Sequence, residues 1–184
     1  MPAPRSDADA RYTRTAIVLH WAIALVVIGE FAWGWWMQSI PKQPVGPRVD
    51  AFNLHKSVGM TIFALMIVRI AWRLGHRPPP PQSMPAWQRT LAGLTHFALY
   101  AALIVQPLAG YLGSEFSGYP VRYFGLTLPK WAGTSVALKE FLGGVHLVTS
   151  WVIASAVLLH IAGALKHAMI DHDRLLARMG LGRV

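Results

Sequence analysis

The chain contains no cysteine. That absence excludes disulfides, thiolate metal sites, iron–sulfur clusters and covalent attachment of a prosthetic group through a Cys-x-x-Cys-His motif. Acid is also scarce, with eight Asp and Glu against seventeen Lys and Arg, and charged residues make up only 14% of the 184. A soluble domain of this length rarely combines so little charge with 54% hydrophobic residues, so the balance points to an integral membrane protein. Eight tryptophans fit that class, because Trp gathers at membrane–water interfaces. The net charge of +9 does not read as a nucleic-acid surface, since the basic residues lie between apolar runs and form no stripe.

Four apolar segments are present, at about Ala16–Gln38, Ser57–Leu74, Leu91–Leu112 and Phe141–Leu165. Each is close to the roughly 20 residues that a spanning helix needs. They predict an all-α integral membrane four-helix bundle, a single domain over residues 1–184. The first segment is too long for a signal-peptide core and no small-residue cleavage site follows it, so it is expected to be retained. Lys and Arg set the orientation. Eleven fall in the N-terminal tail, second connection and C-terminal tail, Arg5, Arg174 and Arg183 among them, against six in the other two connections. Both termini are therefore expected to be cytoplasmic. HRPPPPQSMP reads as a stiff turn, because proline lacks the amide donor. The third connection, Gly113 to Glu140, holds SGYPVRYFGLTLPKW and is expected to lie on the outer face.

The histidines carry the functional signal. His20 lies near the cytoplasmic start of the first helix and His55 at the outer start of the second. The fourth segment, GGVHLVTSWVIASAVLLHIAG, holds His146 and His160. Their fourteen-residue interval spans about 21 Å of helix axis and leaves the side chains about 40° apart, on one face. Depth then pairs His160 with His20 and His146 with His55. Two imidazole pairs stacked across a bundle are what two bis-histidine haems require, since haem iron has two axial positions and His is a common ligand. The residue four beyond each histidine is small (Ala24, Gly59, Ser150, Ala164), which leaves room for a flat macrocycle, although membrane helices favour small residues generally. Two other readings stand beside this one. Zinc prefers tetrahedral sites, often with Cys or carboxylate. A proton path is the other, since ionisable groups within membranes often mark one.

The chain resembles the bacterial cytochrome b561 family. The likeness lies in VLHW opening the first helix, NLHKSVG opening the second, VRIAWR closing it, and two histidines separated by thirteen residues in the fourth. HFALY, FGLTLP and KHAMIDHDRLLARM are similar to the family too, and the match runs from about Thr13 to Met179. The resemblance implies four haem ligands, which fall on His20, His55, His146 and His160. It also implies quinone-linked electron transfer. One branch of the family is a superoxide oxidase that passes electrons to ubiquinone, and related four-helix cytochromes serve hydrogenases and other dehydrogenases. SGYPVRYFG looks more like family members of unassigned activity than like the superoxide branch.

The remaining polar residues have more than one reading each. Arg69 and Arg73 each suit a haem propionate, through charge-assisted bonds, or a headgroup anchor. Lys56 has the same options on the outer side. His96 suits packing, a propionate or a quinone oxygen. His76, His167 and His172 are expected to be solvated. Pro107 with Gly110 is expected to bend the third helix. Glu30 is the one acid inside an apolar run, about 15 Å of helix past His20 and a departure from the family pattern. A carboxylate there costs about 2.5–3.5 kcal/mol at the bilayer centre unless it is paired or protonated. It suits proton movement to a quinone, or a polar gap in the bundle.

These readings lead to a multi-pass protein of the bacterial inner membrane that binds two non-covalent haem b groups. It is expected to carry electrons between an outer-face donor or acceptor and membrane quinone. The alternatives are a cytochrome b subunit of a larger dehydrogenase, a superoxide oxidase reducing ubiquinone, or, without haem, a proton or metal-ion transporter. Expected partners are lipid, quinone and a periplasmic redox protein or dehydrogenase, with no nucleic acid. Having no soluble domain and no nucleotide-binding loop, the chain is not expected to hold a flavin or nicotinamide site.

Overall fold

Thr13 begins the first helix by accepting a hydrogen bond at Oγ1 from Ala16 N, 3.2 Å away. In the computed structural model, which describes residues 11–80, 83–173 and 175–181, four long helices follow. They are α1 (Arg14–Trp36), α2 (Val45–Gly75), α3 (Ala86–Glu115) and α4 (Val136–Met169), with a short α5 (Leu175–Arg178) behind them. All four long helices are long and apolar enough to cross a membrane. The expected all-α membrane bundle is thus present. The third connection adds an antiparallel hairpin, β1 (Arg122–Tyr123) paired with β2 (Leu126–Thr127).

The helices extend past the apolar runs, most of all α2, which starts at Val45 rather than near Ser57. Pro44 stands at its N-cap and Pro47 in its first turn, where a missing N–H costs nothing. His55 is therefore ten residues inside α2 rather than at its start. Helix α4 begins at Val136, capped by Ser135, whose Oγ accepts from Leu138 N at 3.3 Å. Helix α2 stops at Gly75, and the prolines after Arg77 have no amide with which to continue it. Residues 81 and 82 of that turn, and Arg5, Arg174 and Arg183 of the charge count, lie outside the described residues.

Helix α2 packs between α1 and α3, and α4 packs chiefly on α3. Across the remaining gap α1 and α4 meet through large rings, Trp35 on Trp151 at 5.6 Å and His20 on His160 at 6.0 Å between ring centres. The outward faces are apolar, with Leu25 67% and Leu158 69% exposed, as lipid contact requires. Midway through the bundle Ile23, Val27, Ile62, Met66, Ala102 and Ile153 form the buried core. By position along their helices, these residues separate one polar layer near the chain termini from another near the hairpin. We call these the terminal end and the hairpin end.

Each end is closed by short ties. At the hairpin end, Ser57 Oγ accepts from Phe124 N at 2.9 Å, and Thr61 Oγ1 lies 3.2 Å from the Tyr123 hydroxyl. The hairpin turn puts Phe124 at φ 45° and Gly125 at φ 91°, and glycine is the residue that takes the second value without strain. At the terminal end, Trp21 Nε1 donates to the Met179 carbonyl at 2.9 Å and Arg178 donates to the Pro80 carbonyl at 2.9 Å. Arg178, counted above as a topology signal, is thus a buried clamp between the C-terminal segment and the α2–α3 turn.

Candidate functional site

The hairpin-end layer is built around His55 on α2 and His146 on α4, whose ring centres are 6.0 Å apart with planes at 83°. Both rings are seated in the same way. The Nδ1 of His146 donates to the Gln106 carbonyl at 2.9 Å, and the ring lies over Gly110, one turn further along α3. A Cβ on Gly110 would come within 3.0 Å of His146 Cε1. On the opposite side, His55 Nδ1 lies 2.5 Å from Glu30 Oε1, and its ring rests on Gly34, again one turn along. Each imidazole thus meets an acceptor followed four residues later by a glycine, on one face of a neighbouring helix.

The terminal-end layer gathers more cations. His20 on α1 and His160 on α4 have ring centres 6.0 Å apart with planes at 66°. His96 on α3 comes 5.2 Å from His160. Arg69 turns inward rather than to the headgroups. It donates to His20 Nδ1 at 3.3 Å, to the Tyr100 hydroxyl at 3.1 Å and to the Ala16 carbonyl at 3.3 Å. Arg73 is exposed, with its guanidinium 5.8 Å from the centre of the same Tyr100 ring.

The residues present fit an iron between each pair. An iron held by two imidazoles through bonds of about 2.0–2.1 Å would keep their ring centres roughly 6 Å apart. Both 6.0 Å pairs match that span, whereas the 5.2 Å between His96 and His160 falls short of it. At His146 the Gln106 carbonyl holds the proton on Nδ1, so Nε2 carries the lone pair; in this structure it accepts from the Gln106 side-chain amide at 3.2 Å, a contact that an iron would displace. Open space adjoins the hairpin-end pair, lined by Gly59, Met60, Pro107, Gly110, Tyr111 and Val121. A Cβ on Gly59, or on Gly163 near His160, would meet nothing within 4 Å.

Zinc gains no such support at these histidines. Among the described residues, the three ligating side chains whose donor atoms gather within 4.8 Å are His167, Asp171 and Asp173, at the end of α4. There the oxygens already have partners. Lys166 Nζ binds Asp171 at 2.6 Å, and Asp173 accepts from Leu175 N at 2.9 Å while its other oxygen lies 2.5 Å from His167 Nδ1. Lys166 holds the exposed Asp171 carboxyl below the usual carboxylate range. This cluster folds the C-terminal segment back on the bundle. His167 is thus a paired and mostly covered residue, where the sequence suggested a solvated one. His172 is exposed, and so is His76, which stacks on Trp72 with ring centres 3.8 Å apart.

Several contributors escaped the sequence reading. Gln106, Gly34 and the seating role of Gly110 did so, although the acceptor-x-x-x-glycine spacing is legible in both GEFAWG and QPLAG. The longer helices also take in Asp50, Glu115 and Glu140, and of these Glu115, in α3 past Leu112, is the buried one. It is 2% exposed, and its Oε2 has no hydrogen-bond partner. Lys56 is half-buried beside His55 and borders the same open space.

Comparison with known proteins identifies the family. The family described as prokaryotic cytochrome b561 matches residues 11–182. Cytochrome b561 homolog 2 of Escherichia coli is 34% identical over 178 residues, covering 95% of this chain and 93% of that one. Cytochrome b562 of Cereibacter sphaeroides is 30% identical, covering 91% and 94% respectively. The probable superoxide oxidase CybB of Yersinia pestis is 29% identical, covering 92% and 95%. The chain belongs to the prokaryotic cytochrome b561 family, a family of membrane electron-transfer proteins. Membership implies haem b, and with four spanning helices it makes the chain a multi-pass protein of the bacterial inner membrane.

Proposed function

We propose that the chain binds two haem b groups, one between His20 and His160 and one between His55 and His146, and carries electrons across the membrane to or from quinone. The observation that carries this reading is the equal 6.0 Å spacing of two imidazole pairs at opposite ends of one bundle. Along α4 the pairs are fourteen residues apart, about 21 Å, which covers most of a hydrocarbon core about 30 Å thick. Bound haem supplies a one-electron iron couple; the protein supplies axial ligation, position and local charge. The buried apolar core between the two layers speaks against a continuous proton path.

On this reading the termini are cytoplasmic, as the Lys and Arg distribution suggests, and the hairpin end faces outward. Exposed Arg122 and Lys130 in the third connection favour an anionic donor there. The relative named as a probable superoxide oxidase makes superoxide one such donor, giving up one electron to become dioxygen. The test is anaerobic. The reduced protein is mixed with a ubiquinone analogue and haem reoxidation is followed by absorbance. Reoxidation at a rate that depends on quinone concentration supports the reading. Haems that stay reduced with quinone, and exchange electrons only with a co-purified dehydrogenase, overturn it in favour of a subunit role.

A further inference from the structure

Of the four proposed ligands, one has a carboxylate at its back. Glu30 Oε1 lies 2.5 Å from His55 Nδ1, and both atoms are buried with no hydrogen-bond partner beyond this polar contact. The side chains are 13% and 19% exposed, so little water reaches either. The other ligands with a polar contact at Nδ1 differ in kind. His146 faces the neutral carbonyl of Gln106, and His20 faces the guanidinium of Arg69. A carboxylate inside a spanning helix is costly when alone. Against an imidazole N–H it becomes useful, because it fixes which nitrogen carries the proton and makes the ring a stronger donor to a metal.

The geometry also fixes where the ring points. Glu30 holds the Nδ1 side, while Gly34, on the same face of α1, lets the Cε1–Nδ1 edge of the ring come close to the helix, with Cε1 3.4 Å from a Cβ position. We propose that Glu30 is a positioning residue for the hairpin-end haem: it holds His55 with Nε2 free for the iron and lowers that haem's reduction potential. The inference rests on the two-haem reading above. The physical cause is electrostatic. A negative charge behind an axial ligand favours the more positive, oxidised iron, and low local dielectric strengthens the effect.

The test uses the full-length haem-loaded protein and Glu30→Gln, which keeps the size and removes the charge. Redox titration resolves the two haem components, and His55→Ala identifies the hairpin-end one as the component it loses. The expected result is a rise in the midpoint potential of that component alone, a changed low-spin signal in the oxidised electron paramagnetic resonance spectrum, and haem content kept at the wild-type level. Unchanged potentials and spectra, or a shift confined to the other component, overturn the inference and leave the two-haem reading intact. If Glu30→Gln loses the component entirely, Glu30→Asp decides. Recovery of that haem with the shorter carboxylate supports the inference, and continued loss overturns it. A wild-type protein with no component sensitive to His55→Ala overturns both readings together.

Discussion

Arg69 Nη2 lies 3.3 Å from Nδ1 of His20, and a guanidinium can only donate, so that nitrogen accepts. An imidazole bound to iron through Nε2 carries its proton on Nδ1, which a guanidinium cannot accept. Were haem bound at the terminal end through His20 Nε2, Arg69 would have to leave Nδ1, and a propionate would suit its fork of donors. Arg69→Gln is expected to lower the midpoint potential of the terminal-end component and to weaken its retention, because a cation that favours the reduced iron is removed. The hairpin-end component should not move. A redox titration of the variant in which both components keep their potentials would contradict this role.

The ligand pairing makes a sharper prediction. His20→Ala and His160→Ala should each remove one and the same spectral component, and His55→Ala and His146→Ala should each remove the other. Difference spectra of the four single variants decide it. Loss of a common component in His20→Ala and His55→Ala would show that the pairs are wrongly drawn.

Much of this site was legible in the sequence, and the reason is geometric. The fourteen-residue spacing in α4 places two side chains on one face, and helix direction sets the depth of their partners on α1 and α2. Helix ends were less legible, since hydropathy marks the bilayer rather than the helix. Residues Val45 to Lys56 are helical but too polar to register, with Arg48 and Asp50 among them. The supporting contacts were hidden for another reason. Glu30 reads as an anomaly in α1 until α2 is packed beside it. Gly34 reads as an ordinary small residue, and Gly110 as part of a helix bend with Pro107, until the rings that rest on them are placed.

Those glycines differ in tightness, and the difference can be measured. A Cβ at position 110 would stand 3.0 Å from His146 Cε1 and 3.1 Å from its Nδ1, so the ring must move by a few tenths of an ångström. At position 34 the nearest ring atom would be 3.4 Å away, which is close to ordinary contact. Gly110→Ala should shift the spectrum of the hairpin-end haem and lower its occupancy several-fold, while Gly34→Ala stays near wild type. Haem content and difference spectra of both variants check the order, and a reversed order would contradict the seating described.

The C-terminal clamp should matter for stability and not for redox chemistry. Asp173→Ala removes both the acceptor for Leu175 N and the partner of His167, and loss of such a cap typically costs about 1 kcal/mol. Thermal unfolding in detergent should fall accordingly, and protease should reach the segment after Ile170 more readily, with haem spectra unchanged. The nearby Lys166–Asp171 pair has a defined pH response. Its carboxyl titrates below the usual range, so its contribution is complete at neutral pH and is lost only as pH falls through that lowered value. Protease sensitivity that rose between neutral pH and the ordinary carboxylate range would contradict this sign.

The most direct measurement is the haem-to-protein ratio of the purified chain, expressed with adequate haem supply and read by pyridine haemochrome assay against amino-acid analysis. Two haems b per chain, resolved as two components in the reduced-minus-oxidised spectrum, is the expected result. A ratio of one, unchanged by His55→Ala or unchanged by His20→Ala, would contradict the paired sites, and a ratio near zero would contradict haem ligation by these histidines altogether.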